Sequence, residues 1–271
     1  MEIKRVLGIY FSPVDSTRKI VQEAVESLAQ RLQVPSAMQS YTTPSDRADW
    51  QPIASGDLVV WGSPVYAGRL PNKSLPFVQS LLSGKGNPVV TIAVFGGRSF
   101  DYALAEMASW VEQSGMHLVA AAALVSRHVF SHSVELGRPS KDDLASLRQF
   151  CLRVDPHRPS APTVPFQGAE LQYYTPFRED SQPARFLKAK PVLDPDRCMV
   201  CGICVRRCPM GSIVMSDAGR PQVEGVCIKC MSCVRRCPEL AWQFTDADFL
   251  SHTRMVEALC KGGASNWFSN R

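Results

Sequence analysis

A doubled cysteine pattern constrains this chain of 271 residues more than any other feature. Residues 198–209 read CMVCGICVRRCP and residues 227–238 read CIKCMSCVRRCP, so both copies have the spacing Cys-x2-Cys-x2-Cys-x3-Cys-Pro. Three cysteines so close together suit one iron–sulfur cube, and the fourth, ahead of proline, ligates the other cluster in two-cluster proteins. Zinc is the competing metal, since paired Cys-x2-Cys units also bind it, and structural cysteines are the remaining alternative.

The spacing rule predicts two crossed ligand sets for two [4Fe-4S] clusters. One cluster has the ligands Cys198, Cys201, Cys204 and Cys237, and the other has Cys227, Cys230, Cys233 and Cys208. Because each copy gives its last cysteine to the other copy's cluster, the two clusters are expected to lie close together. This arrangement favours electron transfer between them.

Residues 191–245 resemble the two-cluster [4Fe-4S] ferredoxins of bacteria. Gly202 matches the small residue that often follows the second cysteine, whereas Met231 departs from it. The resemblance implies a small α+β ferredoxin-like domain. Each oxidised cube with four thiolates carries about −2, so two of them would change the formal charge of +5 to roughly +1. The arginines of the two motifs then either compensate cluster charge, face an acidic redox partner or are simply solvated: Arg206, Arg207, Arg235 and Arg236.

Charge and hydropathy exclude two other classes of partner. The basic residues form no long run, so no nucleic acid is expected, and the apolar runs fall short of the ~20 residues of a membrane span. The N-terminus lacks the pattern of a signal peptide. We therefore expect a cytoplasmic protein, in which clustered cysteines serve metals rather than disulfides. The expected partner is a redox protein, and the oligomeric state is open.

The first 155 residues alternate short apolar runs with helical patterns. Apolar runs cover 3–11, 57–62, 88–95 and 117–125, and helical patterns cover 16–32, 75–82, 100–113 and 142–153. Continuous apolar runs are typical of strands buried on both faces. The expected fold is α/β, a doubly wound five-stranded parallel sheet. Residues 156–190 are rich in proline, which indicates a linker. Residues 246–271 are expected to form a C-terminal helix and tail.

Ligands of such a sheet bind at the carboxyl ends of its strands, where three loops stand out. The first loop, at the start of a helix, suits a phosphate, and the second and third can enclose a flat ring. The candidate residues are Ser12, Ser16 and Thr17 in the first loop, Ser63, Pro64, Val65, Tyr66 and Gly68 in the second, and Gly96, Gly97, Arg98 and Phe100 in the third.

These loops resemble those of flavodoxin, and the chain as a whole resembles the bacterial flavodoxin–ferredoxin fusion proteins. The resemblance rests on FSP-x-x-x-T, on PVYAGR and on G-x-R in the three loops, together with the doubled cysteine motif. It implies that FMN binds in the loops and exchanges electrons with the clusters. Val14 and Asp15 stand where the family usually has Thr and Gly, and a carboxylate repels a phosphate. Two hypotheses stay open: an electron carrier with FMN, and a ferredoxin-type carrier whose first domain has lost FMN and docks a client.

The sequence shows no catalytic constellation, so an electron carrier is favoured over a substrate-converting enzyme. His128 lies after the fifth expected strand and has no assigned role, and a hydrogen-bonded loop histidine is its commoner interpretation. Cys151 and Cys260 fall outside the two motifs and are expected to be inert thiols.

Overall fold

A computed structural model of the chain describes residues 2–158 and 160–270. Met1, Pro159 and Arg271, which fall in the expected first domain, linker and tail, lie outside the described residues. The strands are β1 Arg5–Tyr10, β2 Ser36–Ser40, β3 Asp57–Pro64, β4 Pro88–Phe95, β5 His117–Val125, β6 Val192–Leu193, β7 Ile213–Met215, β8 Pro221–Val223, β9 Trp242–Gln243 and β10 Trp267–Ser269. The helices are α1 Ser16–Leu32, α2 Pro44–Ala48, α3 Leu75–Leu81, α4 Ala103–Gln113, α5 Lys141–Leu152, α6 Ile203–Arg206, α7 Ser232–Arg236 and α8 Ala247–Leu259.

The large sheet has the strand order β10-β5-β4-β3-β1-β2. The strands β1 to β5 pair in parallel, which is the doubly wound order 2-1-3-4-5 of flavodoxin-like folds. The expected five-stranded parallel sheet is therefore present. The chain's tail adds a sixth strand at its edge, since β10 pairs antiparallel with β5.

Helices cover both faces of this sheet, as the continuous apolar strands require. One face packs on α1 and α5, and the other packs on α3 and α4. Helix α1 approaches the sheet very closely at Gly62, where an added Cβ would lie 2.2 Å from Val21 Cγ2. Only glycine fits there, and the contact fixes the position of the first loop beside β3.

The segment between the two domains is irregular and wraps the first domain. Tyr174 N–H donates to the Ala67 carbonyl at 2.8 Å, and the Tyr173 hydroxyl donates to the Leu70 carbonyl at 3.1 Å. Arg69 and Arg98 stack over these two rings. The linker is thus held against the second and third loops.

The C-terminal part is small and consists of two short antiparallel pairs, β6 with β9 and β7 with β8, and of α6, α7 and α8. Its α8 packs back on the rest of the molecule, because Phe249 contacts both Phe130 of the loop after β5 and Phe186 of the linker. No helix among the described residues is long and apolar enough to cross a membrane.

Candidate functional site

The eight motif cysteines surround two separate cavities. The first cluster cavity is lined by Cys198, Cys201, Cys204 and Cys237, and the second cluster cavity by Cys208, Cys227, Cys230 and Cys233. Each cavity thus takes three cysteines from one copy of the motif and the last cysteine from the other copy. The structure brings the residues together in the two sets that the spacing rule predicts.

The two copies of the motif share one backbone conformation. Val200 and Gly202 in the first copy, and Lys229 and Met231 in the second, have positive φ values between 54° and 69°. Left-handed residues alternating with right-handed ones make concave nests of N–H groups, which recur at iron–sulfur sites. Met231 takes up the same conformation as Gly202, so the departure at this position leaves the loop shape unchanged.

Backbone N–H groups also point at the last cysteine of each copy. Ser212 N–H donates to Cys208 Sγ at 3.3 Å, and Ala241 N–H donates to Cys237 Sγ at the same distance. Burial raises the pKa of Cys230 to about 12, so its thiolate needs a cation close by. An iron–sulfur cluster held by these cysteines would supply that cation, because a coordinating metal deprotonates a thiol outright.

The donor set fits a cluster better than zinc. A zinc ion holds its four ligands about 2.3 Å away, converging on one point. Two cavities with four thiols each, crossed between the two copies of the motif, match the doubled ligand set of a two-cluster site.

A third and larger cavity lies between the two domains. We call it the interdomain cavity; its volume is about 760 Å³. Its walls come from the second and third loops, the loop after β5, the linker, the second cysteine motif and α8. The lining residues used below are Val65, Tyr66, Gly68, Gly96, Arg98, His128, Phe130, Tyr174, Arg185, Phe186, Lys188, Ile228, Lys229 and His252.

Five of the twelve predicted flavin residues line the interdomain cavity, namely Val65, Tyr66, Gly68, Gly96 and Arg98. The other residues of the second and third loops, Ser63, Pro64, Gly97 and Phe100, do not line it. Phe100 faces the sheet core instead and packs on Phe95 and Trp267. The three first-loop residues, Ser12, Ser16 and Thr17, also lie outside this lining.

The first loop meets the dicluster part of the chain. Asp15 has a φ of 66°, and its carboxylate pairs with Arg236 Nη2 at 2.7 Å. Arg236 Nε also donates to the Pro13 carbonyl at 2.9 Å. Of the first four N–H groups of α1, that of Arg18 donates to Ser12 Oγ and that of Lys19 to the Asp15 carbonyl. Those of Ser16 and Thr17 are left for a ligand or water, as at other helix N-termini.

Electrostatics give the interdomain cavity a cationic character. Arg98, Arg185, Lys188 and Lys229 line it, and no Asp or Glu does so among the described residues, although the charge of Arg98 is paired with the Asp101 carboxylate. Burial lowers the pKa of His128 to about 4, with further lowering from His252, Arg235 and Arg98. His128 is therefore neutral at pH 7. Its Nδ1 accepts the Phe130 N–H at 3.3 Å, which leaves Nε2 as the protonated nitrogen.

Tyr66 lies where the interdomain cavity meets the second cluster cavity. Burial raises its pKa well above the usual value, and the nearby thiols of Cys230 and Cys227 raise it further. Ile228 and Lys229, which separate these two cysteines in the sequence, line the cavity as well. The second cluster cavity and the interdomain cavity are thus adjacent.

The arginine pairs of the two VRRCP segments have different surroundings. Arg235 donates to the carbonyls of His128, Val129 and Ser131 at 2.6–3.0 Å, so it fastens the second motif to the loop after β5. Arg206, its counterpart in the first motif, is exposed, and within the described part of the chain its side chain has one hydrogen bond, donated to the Cys201 carbonyl at 3.3 Å. The second motif is therefore fastened to the first domain through Arg235, and the first motif meets that domain at its last residue, where the Pro209 carbonyl accepts a hydrogen bond from Arg47 Nη2 at 2.9 Å.

Several lining residues carried no signal in the sequence. The motif around Lys229 was assigned to cluster binding alone, and His252 lies in a helix that the cysteine pattern does not mark. The linker aromatics Tyr174 and Phe186 pack against neighbouring side chains: Tyr174 contacts Phe177 and Arg98, and Phe186 belongs to a buried apolar cluster. Their place in a cavity wall depends on how two domains meet, which no local pattern encodes.

Sheet order and cysteine geometry define an iron–sulfur protein with a flavodoxin-like N-terminal part. A profile described as a 4Fe-4S dicluster domain matches residues 190–239, and this match supports an electron-transfer role for that segment. Among curated proteins, none matches the chain.

Solved flavodoxin structures are similar to about half of this chain. An archaeal flavodoxin shares 13% identity over 55% of this chain and 94% of its own, with a TM-score of 0.38. Flavodoxin 2 from Bacillus cereus shares 16% identity over 55% of this chain and 95% of its own, with a TM-score of 0.41. Two-electron reduced Megasphaera elsdenii flavodoxin shares 17% identity over 53% of this chain and 97% of its own, with a TM-score of 0.36.

Proposed function

We propose that this chain passes electrons between FMN, held by its flavodoxin-like domain, and two [4Fe-4S] clusters, held by the crossed cysteine sets. The observation that carries the proposal is the shared wall: Tyr66 of the predicted flavin site and Ile228 of the second cysteine motif line one cavity. FMN exchanges two electrons and releases them singly, whereas each cluster exchanges one. The chain's own part is to hold both kinds of cofactor close together and shielded from water.

The size and chemistry of the interdomain cavity fit a flavin ring. A cavity of about 150 Å³ accommodates one benzene ring, so three fused rings need roughly 450 Å³. The 760 Å³ available is sufficient and leaves room for part of the ribityl chain. Tyr66 and Tyr174 offer aromatic faces, and the protonated Nε2 of His128 offers a hydrogen bond. The cationic rim favours an occupant that is anionic or becomes anionic on reduction.

The two cluster sites then have distinct roles. The second cluster cavity adjoins the interdomain cavity, so its cysteines are placed to exchange electrons with the flavin. The first cluster cavity lies nearer the surface: Cys201 is exposed, and the side chain of Met199 beside it is 62% exposed. We assign the first cluster as the one that meets an external redox partner.

A second function is favoured by the position of the first loop. This loop does not line the interdomain cavity and contacts Arg236 instead, which suits a domain that has lost FMN and serves for docking. The two functions differ in one property. A ferredoxin-type carrier retains no flavin, whereas the proposed carrier releases FMN in proportion to protein when acid destroys its clusters.

The decisive experiment measures electron transfer within one chain. Anaerobic protein receives an electron at the flavin from a photoexcited donor, and cluster bleaching is followed at several protein concentrations. The proposal predicts bleaching at a rate independent of protein concentration, because both cofactors belong to one molecule. A rate proportional to concentration, or protein without flavin, would refute it.

A further inference from the structure

We infer that His128 and His252 form a donor–acceptor pair that recognises the imide edge of a flavin, where one N–H group lies between two carbonyl groups. The inference rests on the proposed function, because it concerns the same ring in the interdomain cavity. It goes beyond that function by naming the edge of the flavin that the protein recognises and the residue, His252, that accepts its N–H group.

The backbone fixes the tautomer of His128. Phe130 N–H can only donate, and it lies 3.3 Å from Nδ1 of His128, so Nδ1 is the unprotonated nitrogen and Nε2 carries the proton. The ring also packs against the third loop, since a Cβ added at Gly96 would lie 2.7 Å from Cδ2 of His128. His128 and Gly96 both line the cavity, so His128 offers the cavity a hydrogen-bond donor.

The backbone fixes the opposite tautomer in His252. Its Nδ1 lies 2.8 Å from the Phe177 carbonyl, which can only accept, so Nδ1 carries the proton. Burial lowers the pKa of His252, so the ring is neutral at pH 7 and Nε2 keeps a free lone pair. His252 is 6% exposed and lines the cavity, and no hydrogen bond of its Nε2 is found in the described parts of the chain. This lone pair is available to an N–H group of a molecule in the cavity.

The two histidines lie on one stretch of the cavity wall. The centroids of their rings lie 5.5 Å and 6.3 Å from the centroid of the Phe130 ring, and His252 contributes to the low pKa of His128. Phe186 packs on His252 as well, with a centroid distance of 5.3 Å, so apolar rings flank the pair. In such surroundings a donor and an acceptor favour a ligand that offers both a carbonyl and an N–H group.

A flavin offers this pattern at one edge only. The pyrimidine end of its ring carries the imide N–H between two carbonyls, whereas the benzenoid end carries methyl groups. The pair therefore fixes which end of the ring points toward the loop after β5 and toward α8. His128 belongs to the first domain and His252 to the C-terminal part, so recognition of this edge requires both parts of the chain.

The test compares FMN with 3-methyl-FMN, in which a methyl group replaces the imide hydrogen. Full-length protein with its clusters is dialysed to equilibrium against each flavin under anaerobic conditions, and bound flavin and iron per chain are measured. A hydrogen bond lost beside a buried acceptor is worth about tenfold to a hundredfold in affinity. Wild-type protein is therefore expected to bind 3-methyl-FMN more weakly than FMN by about that factor.

Variants of His252 separate the hydrogen bond from the added bulk of the methyl group. The ring of His252→Phe has no acceptor, so this variant is expected to bind the two flavins within about threefold of each other, whereas a steric penalty would persist. His252→Gln, whose side-chain carbonyl can still accept the imide N–H, is expected to keep part of the preference for FMN. The control is His132→Phe, because His132 is exposed, lies in the loop after β5 and does not line the cavity. It is expected to keep the wild-type preference.

The carbonyl bands of bound FMN test His128. A hydrogen bond from Nε2–H weakens the C=O bond that accepts it, so one carbonyl band in the infrared spectrum should lie at lower frequency in wild-type protein than in His128→Phe. The bands are identified with FMN labelled with ¹³C at C2 and C4. His128→Phe is expected to keep the preference for FMN over 3-methyl-FMN, because that preference depends on His252.

Three results would overturn the inference. They are equal binding of FMN and 3-methyl-FMN by wild-type protein, the full wild-type preference in His252→Phe, and carbonyl bands that are unchanged in His128→Phe. Wild-type protein that binds neither flavin would refute the proposed function itself, which is a different outcome.

Discussion

Removal of Arg235 should undock the dicluster domain while leaving its clusters intact. The guanidinium donates four hydrogen bonds to three carbonyls of the loop after β5, at 2.6–3.0 Å. Burial lowers the pKa of Arg235 to about 10, so the charged group depends on these carbonyls in place of water. A hydrogen bond from a charged donor contributes about 1.5–3 kcal/mol, and glutamine retains part of the set. We expect Arg235→Gln to cost about 3 kcal/mol of docking free energy, or roughly 150-fold in the docking equilibrium constant.

Hydrogen–deuterium exchange measures this opening directly, because exchange of amides covered by docking reports the free energy of undocking. Peptides covering residues 65–70 and 126–134, in loops that face the dicluster domain, should exchange about a hundredfold faster in Arg235→Gln. The control is Arg206→Gln at the matching position of the first motif, where the side chain has one hydrogen bond, to the Cys201 carbonyl. Equal exchange rates in the two variants, with iron content unchanged, would refute the assignment of Arg235 as the docking residue.

Three further predictions concern the clusters, the sheet and acid stability. Cys237→Ser should remove the cluster of the first cavity. The electron paramagnetic resonance spectrum of its remaining reduced cluster should therefore match the spectrum of the Cys198→Ser variant. A match to the spectrum of the Cys227→Ser variant would show that the ligands are not crossed. Gly62→Ala should destabilise the first domain by about 1–3 kcal/mol in thermal unfolding, since the new Cβ would lie 2.2 Å from a methyl group of α1, and an unchanged midpoint would contradict the packing. The pKa of His128 is lowered to about 4 by burial. Below about pH 6.5, His128 therefore binds a proton in the unfolded state but stays neutral in the folded state. Because of this residue, the free energy of unfolding should fall by about 2 kcal/mol between pH 7 and pH 5. The His128→Gln variant should lose that part of the pH dependence. Identical stability–pH profiles for the wild type and the variant would contradict this prediction.

The sheet was predictable wherever its strands are continuously apolar. The run at 88–95 coincides with β4, all of whose residues are buried, and the helical pattern at 16–32 coincides with α1. β2 has the sequence SAMQS and is only half-buried at the sheet edge, so no apolar pattern marked it. β10 could not be predicted, because its pairing with β5 joins segments about 145 residues apart and because a strand of three residues carries no periodicity.

The cluster sites could be anticipated because their geometry follows from local spacing. Cys208 and Cys237 lie in opposite cavities because each follows a helical turn that carries it away from its own copy. The flavin site was harder to anticipate, since most of the residues that line the interdomain cavity belong to other segments than the three predicted loops. Asp15 illustrates the difference: the sequence shows a misplaced carboxylate, and only the fold shows Arg236 beside it.

The central claim is that one chain holds FMN and two [4Fe-4S] clusters together. Its most direct test is the content of iron, acid-labile sulfide and FMN in protein purified without oxygen. The account predicts about eight iron, about eight sulfide and about one FMN per chain. Zinc in place of iron, or iron clusters without any flavin, would contradict it.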